Sequence, residues 1–247
     1  MNVKPPSKSS VTPTTNVLDQ MNRLLNGALG RILLALKAAA STGPKLEFDF
    51  PTFKGLIKEP FKTGALDGIN KIVVYGNSQG LNKEQMAYVL ATVWHETAAW
   101  MQPIREGAVR YGPSYTDVAA QKAVAAIYAK GIITRNYAKL DPVTGKSYYG
   151  RGLCQITHKD NYAKFSPICG VDLVKYPDKA LEWAVALPIL FTGMKKGMFR
   201  AGESLATIDG VNTKDDWYEA RDIINGDKRK NGAAIATIAG VFYAALN

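Results

Sequence analysis

Several things are scarce in this chain, and each shortage removes a class of protein. It has two cysteines, Cys154 and Cys169, in 247 residues, and no CxxC motif. Two cysteines do not make a disulfide framework. They read as buried small hydrophobes, with the question of their pairing left open. There are only two histidines, His95 and His158. His95-Glu96 opens like a zinc-protease pattern, but that pattern needs a second histidine one turn on, where Ala99 stands, so no metal site is expected. Gly-rich phosphate loops are absent. Dense Lys/Arg runs are absent too, although the formal net charge is +10 and the pI about 9.5. That argues against a nucleic-acid-binding arm. The first ten residues, MNVKPPSKSS, lack the apolar core of a signal peptide. The best apolar run, 32–40, is interrupted by Lys37 and is too short and too charged to span a bilayer. The chain is therefore expected to be made in the cytoplasm and carried elsewhere, if at all, by something else. Period-2 alternation is nearly missing, which predicts a mainly α fold.

What remains is ordinary globular material, 47% hydrophobic and 21% charged, enough for one large domain with an appendage. Its positive charge favours anionic partners. Residues 1 to about 15 are rich in Pro, Ser, Thr and Lys and read as a flexible tail. Residues 16–41 read as a basic amphipathic helix, which packs on the main domain, lies on an anionic membrane or joins a partner helix. Thr42-Gly43-Pro44 closes it. The division drawn is 1–48 as tail and N-terminal helical extension, and 49–247 as the main domain. In that domain, short helices are expected around 53–57 and 66–74. Further helices are expected over 117–129, 179–194, 217–224 and 233–246, and a turn at 141–145 heads a possible hairpin.

Two stretches carry candidate chemistry. Asn82, with Gln85 three residues on, forms a capping-box pattern. Met86, Val89, Leu90, Val93 and Trp94 then give one apolar stripe. Glu96 continues the Val89–Val93 row. A carboxyl at such an edge loses hydration, which disfavours its charged form, and a neutral carboxylic acid can protonate a leaving group. Ala98, Ala99 and Pro103 end the helix. Glu106 then lies outside it, beside Gly107, flanked by Arg105 and Arg110, and is expected to stay ionised. Two carboxylates in such different settings suit an acid and a base, although most glutamate pairs are solvated surface charge. The second stretch, 148–162, reads YYGRGLCQITHKDNY. Gly150 and Gly152 permit close backbone approach. Gln155, Thr157 and Asn161 offer neutral hydrogen-bonding groups among Tyr148, Tyr149, Arg151 and Tyr162, a combination suited to sugars. A glycine turn heading a helix is the plainer alternative.

The order HET, then an IRE-type glutamate, then YYGRGxxQxTxxxNY, then ARDIING resembles glycoside hydrolase family 19, and more narrowly its phage endolysin branch. The likeness runs from about Phe53 to the C-terminus. It implies a mainly α, lysozyme-like, two-lobed domain with a catalytic cleft. It also implies inverting cleavage of a β-1,4 bond beside an N-acetylated sugar, with no cofactor. By motif position it makes Glu96 the general acid and Glu106 the base, with Thr157 holding the water. His95 would join the network around Glu96. Tyr148, Tyr149, Arg151, Gln155, Asn161 and Asn225 would bind sugar or order the cleft. After Asn225-Gly226 the chain continues Asp227-Lys228-Arg229. The ion-pair network of plant chitinases is not carried over to these residues. The resulting expectation is a monomeric peptidoglycan hydrolase that acts on the wall after release through a separate pore or as part of a phage particle. Residues 16–41 would offer contact to an anionic outer membrane. The alternatives are a chitinase and a non-catalytic glycan-binding or virion structural protein.

Overall fold

A computed structural model describes residues 45–208, 210 and 213–247. The tail, the N-terminal helix and its close at 42–44 lie outside the described residues. The described domain begins slightly before the boundary drawn at residue 48. Glu47 and Asn247 exchange backbone hydrogen bonds, both at 3.0 Å, and Asp49 N–H donates to the Ala245 carbonyl at 2.8 Å. The Asn77 side-chain amide both donates to and accepts from the Leu46 backbone. These pairings tie the entry and exit of the domain together.

Eight α-helices follow among the described residues: α1 (Phe50–Leu56), α2 (Ala65–Ser78), α3 (Lys83–Glu96), α4 (Asp117–Ala129), α5 (Lys159–Cys169), α6 (Trp183–Lys195), α7 (Lys214–Glu219) and α8 (Lys228–Ala244). Two short strands, β1 (Ile104–Arg105) and β2 (Arg151–Gly152), pair antiparallel. The predicted mainly α fold is the one found.

Helix α3 is the axis. The Asn82–Gln85 capping box forms as its sequence predicts. Its burial is wider than the predicted stripe, because every residue from Met86 to Trp94 is buried. A helix covered on all sides belongs at the centre of a core. Helix α8 packs along it, α2 lies against it, and α7 and α1 back onto α8. At one junction Phe53, Trp94 and Phe242 meet with ring centroids 4.6 to 6.0 Å apart. Phe53 is fully buried, and burial of such a ring contributes about 2–3 kcal/mol. A second, smaller core of Ala120, Val124, Ala138 and Tyr149 lies under α4. Both clusters lie within one compact unit, and the β1–β2 ribbon joins the chain that follows α3 to the stretch that leads into α5.

Several boundaries differ from the sequence-based expectation. Helix α6 starts at Trp183, because Glu182 is extended, and a 3-10 turn occupies Pro177–Leu181. Helix α8 starts five residues earlier than expected, at Lys228. The positive charge in its first turn opposes the helix dipole, and Lys228 bonds the carboxylates of Asp222 and Glu219. The 141–145 turn forms but heads no hairpin; β2 pairs with β1 instead. Cys154 and Cys169 are buried thiols.

Candidate active site

Glu96 is the last residue of α3, and the chain turns sharply after it. Thr97, fully buried, donates its hydroxyl to the Val93 carbonyl at 2.6 Å and accepts from the Met101 N–H at 2.9 Å. Between these bonds Ala98, Ala99 and Met101 adopt left-handed φ of 48°, 65° and 53°. The turn seats on Gly68 of α2, where a Cβ would overlap the Met101 carbonyl oxygen. Among the described residues, only Gln155 (53°) and His158 (71°) also take positive φ without being glycine. All five therefore fall in the two stretches that carry candidate chemistry. Strain of this kind costs about 1–3 kcal/mol per residue and collects at functional sites.

Glu96 does not stand at a bare apolar edge, as its sequence suggests. Its Oε1 accepts from Nη1 of Arg221 at 2.8 Å. Arg221 is 1% exposed, and its Nε and Nη2 donate to Asp227 at 2.6 and 3.2 Å. Asn231 donates to the same carboxylate at 2.6 Å. Burial pushes the Asp227 carboxyl up, but the hydrogen bonds from Arg221 and Asn231 outweigh it and hold the group below its ordinary value. His95 is half-buried beside this network. Desolvation lowers its pKa, with the neighbouring Glu96 acting against the shift.

The second carboxylate arrives through the ribbon. Pairing of Arg105 with Arg151 brings Glu106 against Gly150. Glu106 N–H donates to the Gly150 carbonyl, and Gly150 N–H donates to Glu106 Oε2, both at 2.8 Å. A Cβ on Gly150 would lie 2.8 Å from Gln155 Oε1 and 3.0 Å from Glu106 Oε2. The glycine is therefore what lets the carboxylate reach the backbone. The other oxygen, Oε1, accepts from the Tyr137 hydroxyl at 3.0 Å. Burial, reinforced by Glu106, raises the Tyr137 pKa, so the phenol stays a donor. Arg105 does not serve Glu106, contrary to the sequence reading. It donates to the Tyr115 carbonyl and to Asp178.

Around the carboxylates, Gln155 donates to the carbonyls of Ile104 and Gly152 at 3.1 and 3.0 Å. Thr157 donates to the Gln155 carbonyl at 3.1 Å, and Asn161 to the Thr157 carbonyl at 2.7 Å. All three side chains are partly exposed, and Asn225 is exposed next to the Arg221 network. Tyr148, Tyr149 and Arg151 are different, and the expectation that they bind substrate is corrected. They are 5%, 0% and 2% exposed. Arg151 bonds Asp178, Asp117, the Ser147 carbonyl and the Tyr162 hydroxyl. Tyr149 donates to Asp117 and Tyr148 to the Val174 carbonyl. With no face left for a sugar, they brace the loop from inside. Among the described residues no group of three or more His, Cys, Asp or Glu side chains is placed to hold a metal.

Residues 61–189, just over half of the chain, match the family model of chitinase class I, glycoside hydrolase family 19. The chain belongs to that family. It is a glycosidase acting on β-1,4 glycans, with the helical, lysozyme-like fold of glycoside hydrolase family 19. No solved structure matches it. The family 19 match contains Glu96, Glu106 and the 148–162 loop. Arg221, Asn225 and Asp227 lie beyond it. The structure nevertheless supplies the acidic partner that the sequence reading declined to assign to 227–229, since Asp227 holds the arginine that holds Glu96. Arg221, Asp227, Asn231 and Tyr137 were the residues missed. One signal was available: Arg221 has Ala220, Ile223 and Ile224 as near neighbours in the chain, and an arginine that turns inward with such neighbours requires a carboxylate partner.

Proposed function

We propose that this chain is a peptidoglycan hydrolase. It cuts the β-1,4 bond between N-acetylmuramic acid and N-acetylglucosamine by inversion, acting on the wall after release through a separate pore or as part of a phage particle. The observation that carries the chemistry is the contrasting support of the two carboxylates. Glu96 shares one guanidinium with Asp227 at the end of a rigid helix, while Glu106 is aimed by a backbone N–H and a phenol. In the reaction, Glu96 gives its proton to the glycosidic oxygen as that bond to the anomeric carbon breaks. Water attacks the anomeric carbon from the opposite face and loses a proton to Glu106. An inverting pair stands about 6.5–9.5 Å apart to admit that water, and placement on separate elements suits such a gap. Thr157 positions the water. Gln155 and Asn161 offer their amide oxygens, which accept no hydrogen bond from the described residues, to sugar N–H and O–H groups. The net charge of +10 favours an anionic wall polymer.

The competing substrate is chitin, which the name of the matching family model brings forward. Purified peptidoglycan and colloidal chitin are incubated in parallel with wild type and Glu96→Gln, and new reducing ends are counted. The amide keeps the shape but has no proton to give. Wild type is expected to clear peptidoglycan and the variant to fall at least about 100-fold, the usual scale of general acid catalysis. Equal rates would remove Glu96 from the mechanism, and turnover of chitin alone would replace the proposed substrate.

A further inference from the structure

Beside Glu96, on the neighbouring face of α3, lies a recess of about 460 Å³ that the two-carboxylate chemistry does not use. Its floor is the buried Ala91, Trp94 and Ile235, and Ala98, Ala234 and Ile238 line its sides, contributed by α3, the strained turn and α8. The small alanines give it depth, and its volume falls in the range of ordinary ligand pockets, about 300–1,000 Å³. His95 lines it and is also the residue next to Glu96, so the recess opens one side chain away from the acid. Its rim carries opposite charges, Glu59 and Lys62. Neither makes an ion pair among the described residues. The Lys62 ammonium instead lies 5.5 Å from the centre of the Trp100 ring. An apolar floor with one anion and one cation that form no ion pair among the described residues suits a ligand that has small apolar groups, one carboxylate and one amine.

We infer that this recess receives the peptide substituent of the glycan, Lys62 taking the peptide's acidic residue and Glu59 its diamino residue. The inference rests on the peptidoglycan reading above. The muramic acid of peptidoglycan carries its peptide through a lactyl ether on the sugar at the scissile bond. That substituent must therefore leave the cleft within a few ångströms of the general acid. Its first residues are alanine-like and match a floor of methyl groups. Its carboxylate and amine follow further along the chain, as the charges here stand at the rim and not on the floor. A chitin chain has no such substituent and would leave the recess unused.

The experiment compares intact peptidoglycan with the same glycan stripped of peptides by an amidase, with chitin oligomers as a third substrate. Wild type and the double variant Glu59→Gln/Lys62→Met are assayed for kcat and KM, with thermal unfolding as the check on folding. Wild type is expected to show a kcat/KM roughly tenfold higher on peptide-bearing than on stripped glycan, the scale of two partly exposed charge-assisted contacts. In the variant that ratio should fall to about one, mainly through KM. A wild-type ratio of one, or a ratio kept by a folded variant, overturns the inference while leaving peptidoglycan hydrolysis standing. Cleavage of chitin with neither peptidoglycan substrate touched overturns both.

Discussion

Replacing Arg221 with methionine should strand two acids at once. Arg221 is 1% exposed, and the carboxylates it serves, Glu96 and Asp227, have side chains 15% and 27% exposed. Methionine fills much of the volume but leaves Asp227 without its cation and Glu96 without its hydrogen-bond donor. Removing one partner of a buried pair costs about 3–5 kcal/mol. The partial exposure of both acids favours the lower end, so the expected loss at pH 7 is about 3 kcal/mol. For a domain of this size each kcal/mol lowers Tm by about 2–4 °C, which predicts a fall of about 6–12 °C by calorimetry or circular dichroism. The double variant Arg221→Met/Asp227→Asn removes one stranded charge. It should therefore lie closer to wild type than the sum of the single changes. The pH dependence has a definite sign. The folded pKa of Asp227 is depressed, so its contribution is full above the unfolded value of about 4 and is lost as pH falls through the folded one. Wild type should lose stability in that acid window, and Arg221→Met should lose less. A Tm within about 2 °C of wild type, or strictly additive single changes, would refute the buried-network argument.

Tyr137→Phe deletes the phenol that donates to Glu106 Oε1. A lost hydrogen bond to a charged group of about 1.5 kcal/mol should lower kcat roughly tenfold while leaving Tm nearly unchanged; an unaltered kcat would show that the phenol does not aim this carboxylate. Arg151→Met tests the corrected role of the second stretch. Arg151 is 2% exposed and bonds Asp178 at 2.7 Å and Asp117 at 3.1 Å. Its loss should therefore cost several kcal/mol of stability, about 3–5 by the same buried-pair scale, and any rise in KM for glycan should come only together with that fall in Tm. A raised KM at preserved Tm would return Arg151 to the substrate.

The parts of this fold that could be read in advance are those written in local chemistry. The capping box at Asn82 and Gln85 and the run from Asp117 to Ala129 fix two helices without reference to anything distant. Glu96 was legible because a helix end is a local event. The two residues that hold it were not, because Arg221 lies 125 positions along the chain, and nothing within one turn of either residue announces the partner. The loop at 148–162 failed for a different reason. Its tyrosines, arginine, amides and hydroxyls look alike in sequence, whether they face a sugar or the protein. Only burial separates them. Gln155, Thr157 and Asn161 keep partly exposed side chains, while Tyr148, Tyr149 and Arg151 turn inward and spend their polar atoms on Val174, Asp117 and Asp178. The two sets depend on each other. The loop can hold Gln155 and His158 in left-handed backbone only if something resists relaxation, and a buried guanidinium with five separate partners supplies that resistance. Buried Tyr148, Tyr149 and Arg151 are therefore the brace for the loop that carries the partly exposed Gln155, Thr157 and Asn161.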